Sequence, residues 1–267
     1  MNYTDYPKIL ALENTYTTEK RKNILFPTIK FYLTLGKIFV GANLKTKKNI
    51  YNRFNWVGTS LEVFEALENI GIKFKINGMK NLQLVDGPVV FVSNHMSMLE
   101  TLILPAMIQP IKPLVFVTKK QLSKTPLFGP INKYRHPIEV GRENAREDLK
   151  TVLETGARRI KEGRSVLIFP QKTRTKYFDP SGFNTLGEKL AKRNNIPVIP
   201  IALVTDAWEN GKIIKDFGKI NTRKTCYFAF GKPMEITGNG SLQHKKILEF
   251  ISDKFTEWNR KDLIIDK

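Results

Sequence analysis

Short apolar runs constrain this chain more than any other feature: Val89–Val92, Leu114–Thr118, Ser165–Phe169 and Ile196–Leu203. Each has the length of a strand buried on both faces and is too short for a core helix. Between them lie stretches with apolar residues at helical spacing. In the clearest, Ala145, Leu149, Val152, Leu153, Gly156 and Ile160 share a face until Gly163 ends the helix. Strands alternating with helices imply the α/β class, a mostly parallel central sheet covered by helices on both faces. The prolines within Ile196–Leu203 place that strand at an edge or a bulge.

The polar residues that follow these runs matter next. Val89–Val92 ends in Ser93-Asn94-His95, and Ser97 precedes Glu100 by three positions before an apolar run to Ile108. That pattern predicts strand, turn and helix start, with Ser97 and Glu100 forming a capping box. A histidine in the turn then lies beside a carboxylate in the first helical turn, which suits a base oriented by an acid. A purely structural turn, with Glu100 capping and His95 hydrogen-bonding, fits the same residues. A short strand over Ile138–Arg142 ends in an arginine, and Lys172-Thr173-Arg174 follow Ser165–Phe169. In open α/β sheets, ligands bind beyond the carboxyl ends of the strands. A histidine–carboxylate pair with converging cations points to proton abstraction beside an anionic group such as phosphate.

Charge agrees with an anionic partner. The 267 residues carry 44 Lys and Arg against 25 Asp and Glu, a net charge of +19. Such a balance draws polyanions, but no basic arm or zinc-finger spacing marks a nucleic-acid binder. The single cysteine, Cys226, lies in an apolar run and reads as an inert core thiol. His136 and His244 sit in unrelated polar contexts, so no metal site is expected. No Gly-x-Ser-x-Gly elbow supplies a serine nucleophile.

Ahead of the sheet, Ile24–Val40 approaches the length of a membrane span but carries Lys30 and Lys37. These lysines and Thr34 share one helical face and leave a broad apolar remainder. A helix lying in a bilayer interface and a core helix with one wet stripe both fit. A second helix, with Trp56, Leu61, Phe64 and Leu67 on one face, runs to Gly71. The expected organisation is a helical membrane-interface segment over residues 1–70 and an α/β domain over 71–267.

Three stretches carry a resemblance to a known family. Asn94-His95-Met96-Ser97-Met98-Leu99-Glu100, Phe169-Pro170-Gln171-Lys172-Thr173-Arg174 and Val198-Ile199-Pro200-Ile201-Ala202 resemble, in order, the first, third and fourth blocks of the lysophosphatidic acid acyltransferase family. These glycerolipid acyltransferases carry a His-x4-Asp/Glu motif. The second block is matched loosely, with Arg142 as its arginine and Tyr134–Pro137 where the family has glycine. The resemblance implies transfer of an acyl group from acyl-CoA or acyl carrier protein to the free hydroxyl of a 1-acylglycerol 3-phosphate, giving phosphatidic acid, with no cofactor. His95 would be the base and Glu100 its partner; Arg142, Lys172 and Arg174 would hold phosphate, with a hydrogen bond from Thr173. It also implies an enzyme on the cytoplasmic face of an anionic membrane, peripheral or monotopic, consistent with the lack of a signal-peptide pattern. Gln171-Lys172 replace the family's Glu-Gly, which opens other acceptors, glycerol 3-phosphate or a lyso-amino-lipid. The alternative from another class is a non-catalytic basic protein that binds membrane or nucleic acid.

Overall fold

The structure, a computed structural model, describes residues 13–19, 22–212 and 214–265; Met1–Leu12, part of the polar stretch ahead of the first helix, lie outside them. Among the described residues, one sheet holds β1 (Thr15–Thr17), β2 (Lys73–Asn77), β3 (Val90–Ser93), β4 (Leu114–Lys119), β5 (Ile138–Val140), β6 (Ser165–Ile168), β7 (Val198–Val204) and β8 (Thr225–Phe230). Their order is β1-β2-β8-β7-β3-β6-β4-β5. The run β7-β3-β6-β4-β5 is parallel throughout, as is β2 with β8. Pairs β1–β2 and β7–β8 are antiparallel.

Every residue of β3, β6 and β7 is buried, so both faces of the central sheet are covered. On one face α5 (Ala145–Lys161) and α6 (Leu186–Asn194) pack together, and α7 (Ser241–Glu257) lies against β7. Gly187 brings α6 onto β3, since a Cβ there would stand 2.4 Å from Val92 Cγ2. The other group is α1 (Pro27–Lys47), α2 (Arg53–Asn69), α3 (Leu99–Ile108) and the short α4 (Gly129–Tyr134). Asn52 and Asn55 form a reciprocal capping box that starts α2.

Residues 1–70 contribute β1 at one sheet edge, and the buried side chains of α1 and α2 lie in the same hydrophobic core as the sheet. α1 extends beyond Val40 to Lys47. Its apolar surface divides in two. Phe31, Leu35, Ile38, Phe39 and Ala42 are buried, while Ile29 (61% exposed), Leu33 (65%), Val40 (56%) and Leu44 (52%) face outward. At 21 residues it is too polar to span: no helix among the described residues is long and apolar enough to cross a membrane.

One expectation is resolved between its alternatives, a bulge rather than an edge, and two need correction. β7 is interior, between β3 and β8, despite its prolines. Pro200 is tolerated because the neighbouring chain bulges beside it: Ile201 pairs with Phe230 and Val198 with Met234, so three residues oppose two. Pro200 keeps its carbonyl in use, accepting Gly231 N–H at 2.8 Å. β1 was hidden in a polar stretch because an edge strand needs little apolar sequence. Finally α3 begins at Leu99, one residue later than a Ser97 cap requires.

Candidate active site

The site forms where β3 ends. Asn94 prolongs the β3–β7 ladder with its side chain: Nδ2 donates to Leu203 O at 2.8 Å, and Oδ1 accepts Leu203 N–H at 3.0 Å. A backbone-like amide is the reason asparagine suits this position, since it pins the strand end while the chain turns. His95 follows directly, with 12% of its side chain exposed. Its Nδ1 lies 2.9 Å from Glu100 Oε1.

Glu100 is fully buried and saturated with donors. Oε1 also accepts the N–H groups of Met96 (2.7 Å) and Ser97 (2.8 Å). Oε2 receives the hydroxyls of Ser97 (2.8 Å) and Thr205 (2.6 Å). Half of the expected capping box is therefore present, with Glu100 reaching back to Ser97 N–H and Ser97 Oγ accepting Leu99 N–H at 3.1 Å. Burial alone would raise the Glu100 carboxyl; the hydrogen bond to His95, followed by the Thr205 and Ser97 donors, outweighs burial and holds it below the ordinary carboxylate range. Burial lowers His95, and the charges of Arg174 and Arg142 act the same way against Glu100. The ground state is thus a neutral imidazole on a carboxylate. Nδ1–H faces the acid, which leaves Nε2 as the free base.

Phe169, at the end of β6, stacks on the imidazole with ring centroids 4.0 Å apart and 14° between planes. The segment after it closes over the turn. Gln171 Oε1 accepts His95 N–H at 2.6 Å, and Thr175 N–H donates to His95 O at 3.0 Å.

The cations gather on loops beyond the carboxyl ends of the strands. Arg142 holds φ at 66°, a left-handed value that costs a non-glycine residue about 1 kcal/mol or more. It stays there because Asp148 accepts the Gly141 and Arg142 N–H groups, each at 2.9 Å. The Arg142 Nη1 then reaches Lys172 O at 3.0 Å. Arg174 is partly buried, donating through Nη2 to Asp216, with Nη1 3.7 Å from Met98 Sδ. Lys172 and Thr173 are exposed. Lys215 joins them: its Nζ donates to Thr173 Oγ1 at 2.7 Å and to Arg174 O at 3.0 Å. Burial, and after it the Arg174 charge, lowers the Lys215 pKa, with Asp216 opposing. His136, in the segment where the family has its second-block glycine, also stands in the left-handed region at φ 50°.

A family model described as Acyltransferase matches residues 73–204, the stretch containing all of these elements except the Lys215–Asp216 loop and Thr205. The 1-acyl-sn-glycerol-3-phosphate acyltransferase of Pseudomonas aeruginosa is 33% identical over 132 residues, 49% of each chain. Residues 73–204 match the acyltransferase family. A probable 1-acyl-sn-glycerol-3-phosphate acyltransferase of Mycoplasma genitalium is 31% identical over 136 residues, 49% of this chain and 50% of that one. The chain thus spans about half the length of the curated relatives it matches. The crystal structure of the 1-acyl-sn-glycerophosphate (LPA) acyltransferase from Thermotoga maritima superposes with a TM-score of 0.64 at 16% identity. It covers 87% of this chain and 95% of that one, which establishes a shared fold.

Within the matched stretch, His95 and Glu100 meet in one hydrogen bond, and Arg142, Lys172, Thr173 and Arg174 lie on the adjoining loops. Thr205 and Lys215 are site residues the sequence does not single out, and Phe169 enters there only as part of the third block. Thr205 had a readable signal, a polar residue closing an otherwise apolar strand at its carboxyl end, as Asn94 does. Lys215 had none, because its loop is brought back only by tertiary folding.

Proposed function

We propose that the protein transfers a fatty acyl group from a thioester donor, acyl-CoA or acyl carrier protein, to the free hydroxyl of 1-acylglycerol 3-phosphate. The observation that carries this reading is the neutral His95 on a buried carboxylate, beside a cluster of Arg142, Arg174 and Lys215. His95 Nε2 takes the hydroxyl proton as the acceptor oxygen bonds to the thioester carbon. The resulting tetrahedral intermediate collapses by breaking the C–S bond. The imidazolium then returns its proton to the leaving thiolate, so the products are an ester and a free thiol, without an acyl-enzyme. Glu100 stabilises the imidazolium while it exists. The cations hold the acceptor phosphate, with Lys172 free at the rim and Thr173 presented by Lys215.

A membrane location of the acceptor is supported by the outward stripe of α1. Leu25, Phe26, Ile29 and Leu33 are exposed near its start, and Ile214 and Phe217 lie exposed on the loop that Tyr32 contacts. Lys30 and Lys37 flank the stripe. Apolar insertion together with about 1 kcal/mol per basic residue near an anionic surface suits peripheral docking. A thioester donor made inside the cell favours the cytoplasmic face. The test is mass spectrometry of products from lysophosphatidic acid and glycerol 3-phosphate with each donor. Phosphatidic acid from wild type but not His95→Ala is expected. Equal turnover by both proteins would refute the base, and product from glycerol 3-phosphate alone would replace the acceptor.

A further inference from the structure

Gln171 stands where the third family block has Glu, and both ends of its side chain are engaged within the catalytic turn. Oε1 accepts His95 N–H at 2.6 Å and Nε2 lies 3.5 Å from Thr175 Oγ1. Thr175 in turn donates its backbone N–H to His95 O at 3.0 Å. Both backbone polar groups of His95 are therefore held by residues 171–175, and Phe169 of the same segment covers the ring. Glu100 fixes the ring through Nδ1 but makes no bond to the His95 backbone. The two grips are complementary, one on the imidazole and one on the main chain that aims it.

We propose that Gln171 is a positioning residue of the acyl transfer, fixing the His95 turn through its backbone N–H and, by being neutral, setting the acid limit of the reaction. The proposal rests on the reading of His95 as the base. A glutamate at 171 would accept the same N–H bond, so grip alone does not require glutamine. What differs is charge. The groups facing the imidazole are the Glu100 carboxylate from α3, Arg174 from the loop after β6 and Arg142 from the loop after β5. Arg174 is itself paired with Asp216, and Lys215 bonds the Arg174 carbonyl. One carboxylate thus faces cations on two loops. A second carboxylate within a few ångströms would tip this balance toward the imidazolium, which cannot accept a proton from the acceptor.

The experiment compares the full chain with Gln171→Glu and Gln171→Leu, using lysophosphatidic acid and oleoyl-CoA over a pH series. Gln171→Glu should keep its plateau kcat within about twofold and move the acid limb of kcat/KM upward by about one pH unit. Gln171→Leu, which loses the acceptor, should lower kcat about tenfold while KM for lysophosphatidic acid stays within about twofold. In parallel, histidine-labelled protein is titrated by NMR, with His95 assigned by the signal missing in His95→Ala. The His95 titration in Gln171→Glu should move by the same one unit, a readout that needs no turnover. If the His95 titration is unmoved in Gln171→Glu, neutrality plays no part. A raised KM with unchanged kcat in Gln171→Leu would make Gln171 an acceptor contact and overturn the positioning role. Loss of the proposed function would appear instead as no acyl transfer by wild type, with the NMR comparison still decisive for Gln171.

Discussion

Replacing Glu100 by Gln separates the two tasks that one carboxylate performs. The amide fits the space, because Oε1 can keep the His95, Met96 and Ser97 N–H donors while Nε2 donates to the Ser97 and Thr205 hydroxyls, which rotate to accept. Folding should therefore survive at a cost of about 1–2 kcal/mol, the difference between charged and neutral hydrogen bonds. What the amide cannot supply is charge opposite the imidazolium. With Nδ1 and Oε1 2.9 Å apart, the charge centres lie about 4 Å apart, worth about 4 kcal/mol at an effective dielectric near 20. At 1.36 kcal/mol per tenfold, kcat should fall about 10³-fold. The assay is steady-state acyl transfer alongside circular-dichroism melting of both proteins. A folded Glu100→Gln with full kcat would show that Glu100 only organises the turn, and the reasoning would fail.

The base implies a pH profile: burial holds His95 below its ordinary value, so wild-type kcat/KM should keep its plateau down to below pH ~6.5 and fall only on further acidification. Arg174→Met should raise that acid limb by removing a nearby cation and raise KM for lysophosphatidic acid about tenfold or more; unchanged KM would remove Arg174 from the phosphate site. Thr205→Val should reduce kcat about tenfold by taking a hydroxyl from Glu100 Oε2, with melting checked in parallel. Ile29→Asp combined with Leu33→Asp should weaken sedimentation with anionic vesicles at least tenfold without shifting the melting temperature, since both side chains are exposed. Gly187→Ala should cost about 1–3 kcal/mol by forcing α6 off Val92, measured by denaturant unfolding.

Much of the architecture was legible because periodicity is local. The apolar runs became β3, β4, β6 and β7, and the helical face read from Ala145 to Ile160 became α5, capped by Asn144. His95 and Glu100 were legible for the same reason: five positions apart, across a turn that strand and helix signals both bound. The readings left open share a different cause. Pro200 fits an edge or a bulge from its own strand alone, and the bulge that accommodates it lies on the neighbouring chain. α1 offered one broad apolar surface in sequence, and only packing decided that Phe31 and Leu35 go inward while Ile29 and Leu33 face out.

The sequence by itself determined the alternation of strands and helices, the strand–turn–helix that carries the base, and which loops bear cations at the carboxyl ends of strands. Tertiary structure decided which of these meet. Placing β3 between β7 and β6 brings Thr205 to Glu100 across 105 positions, and Gln171 to the His95 backbone across 76. The same folding commits Arg174 to Asp216 and adds Lys215 to the cluster. No periodicity encodes such meetings, because strand order follows from how the helices between strands cover the sheet, a property of the whole core.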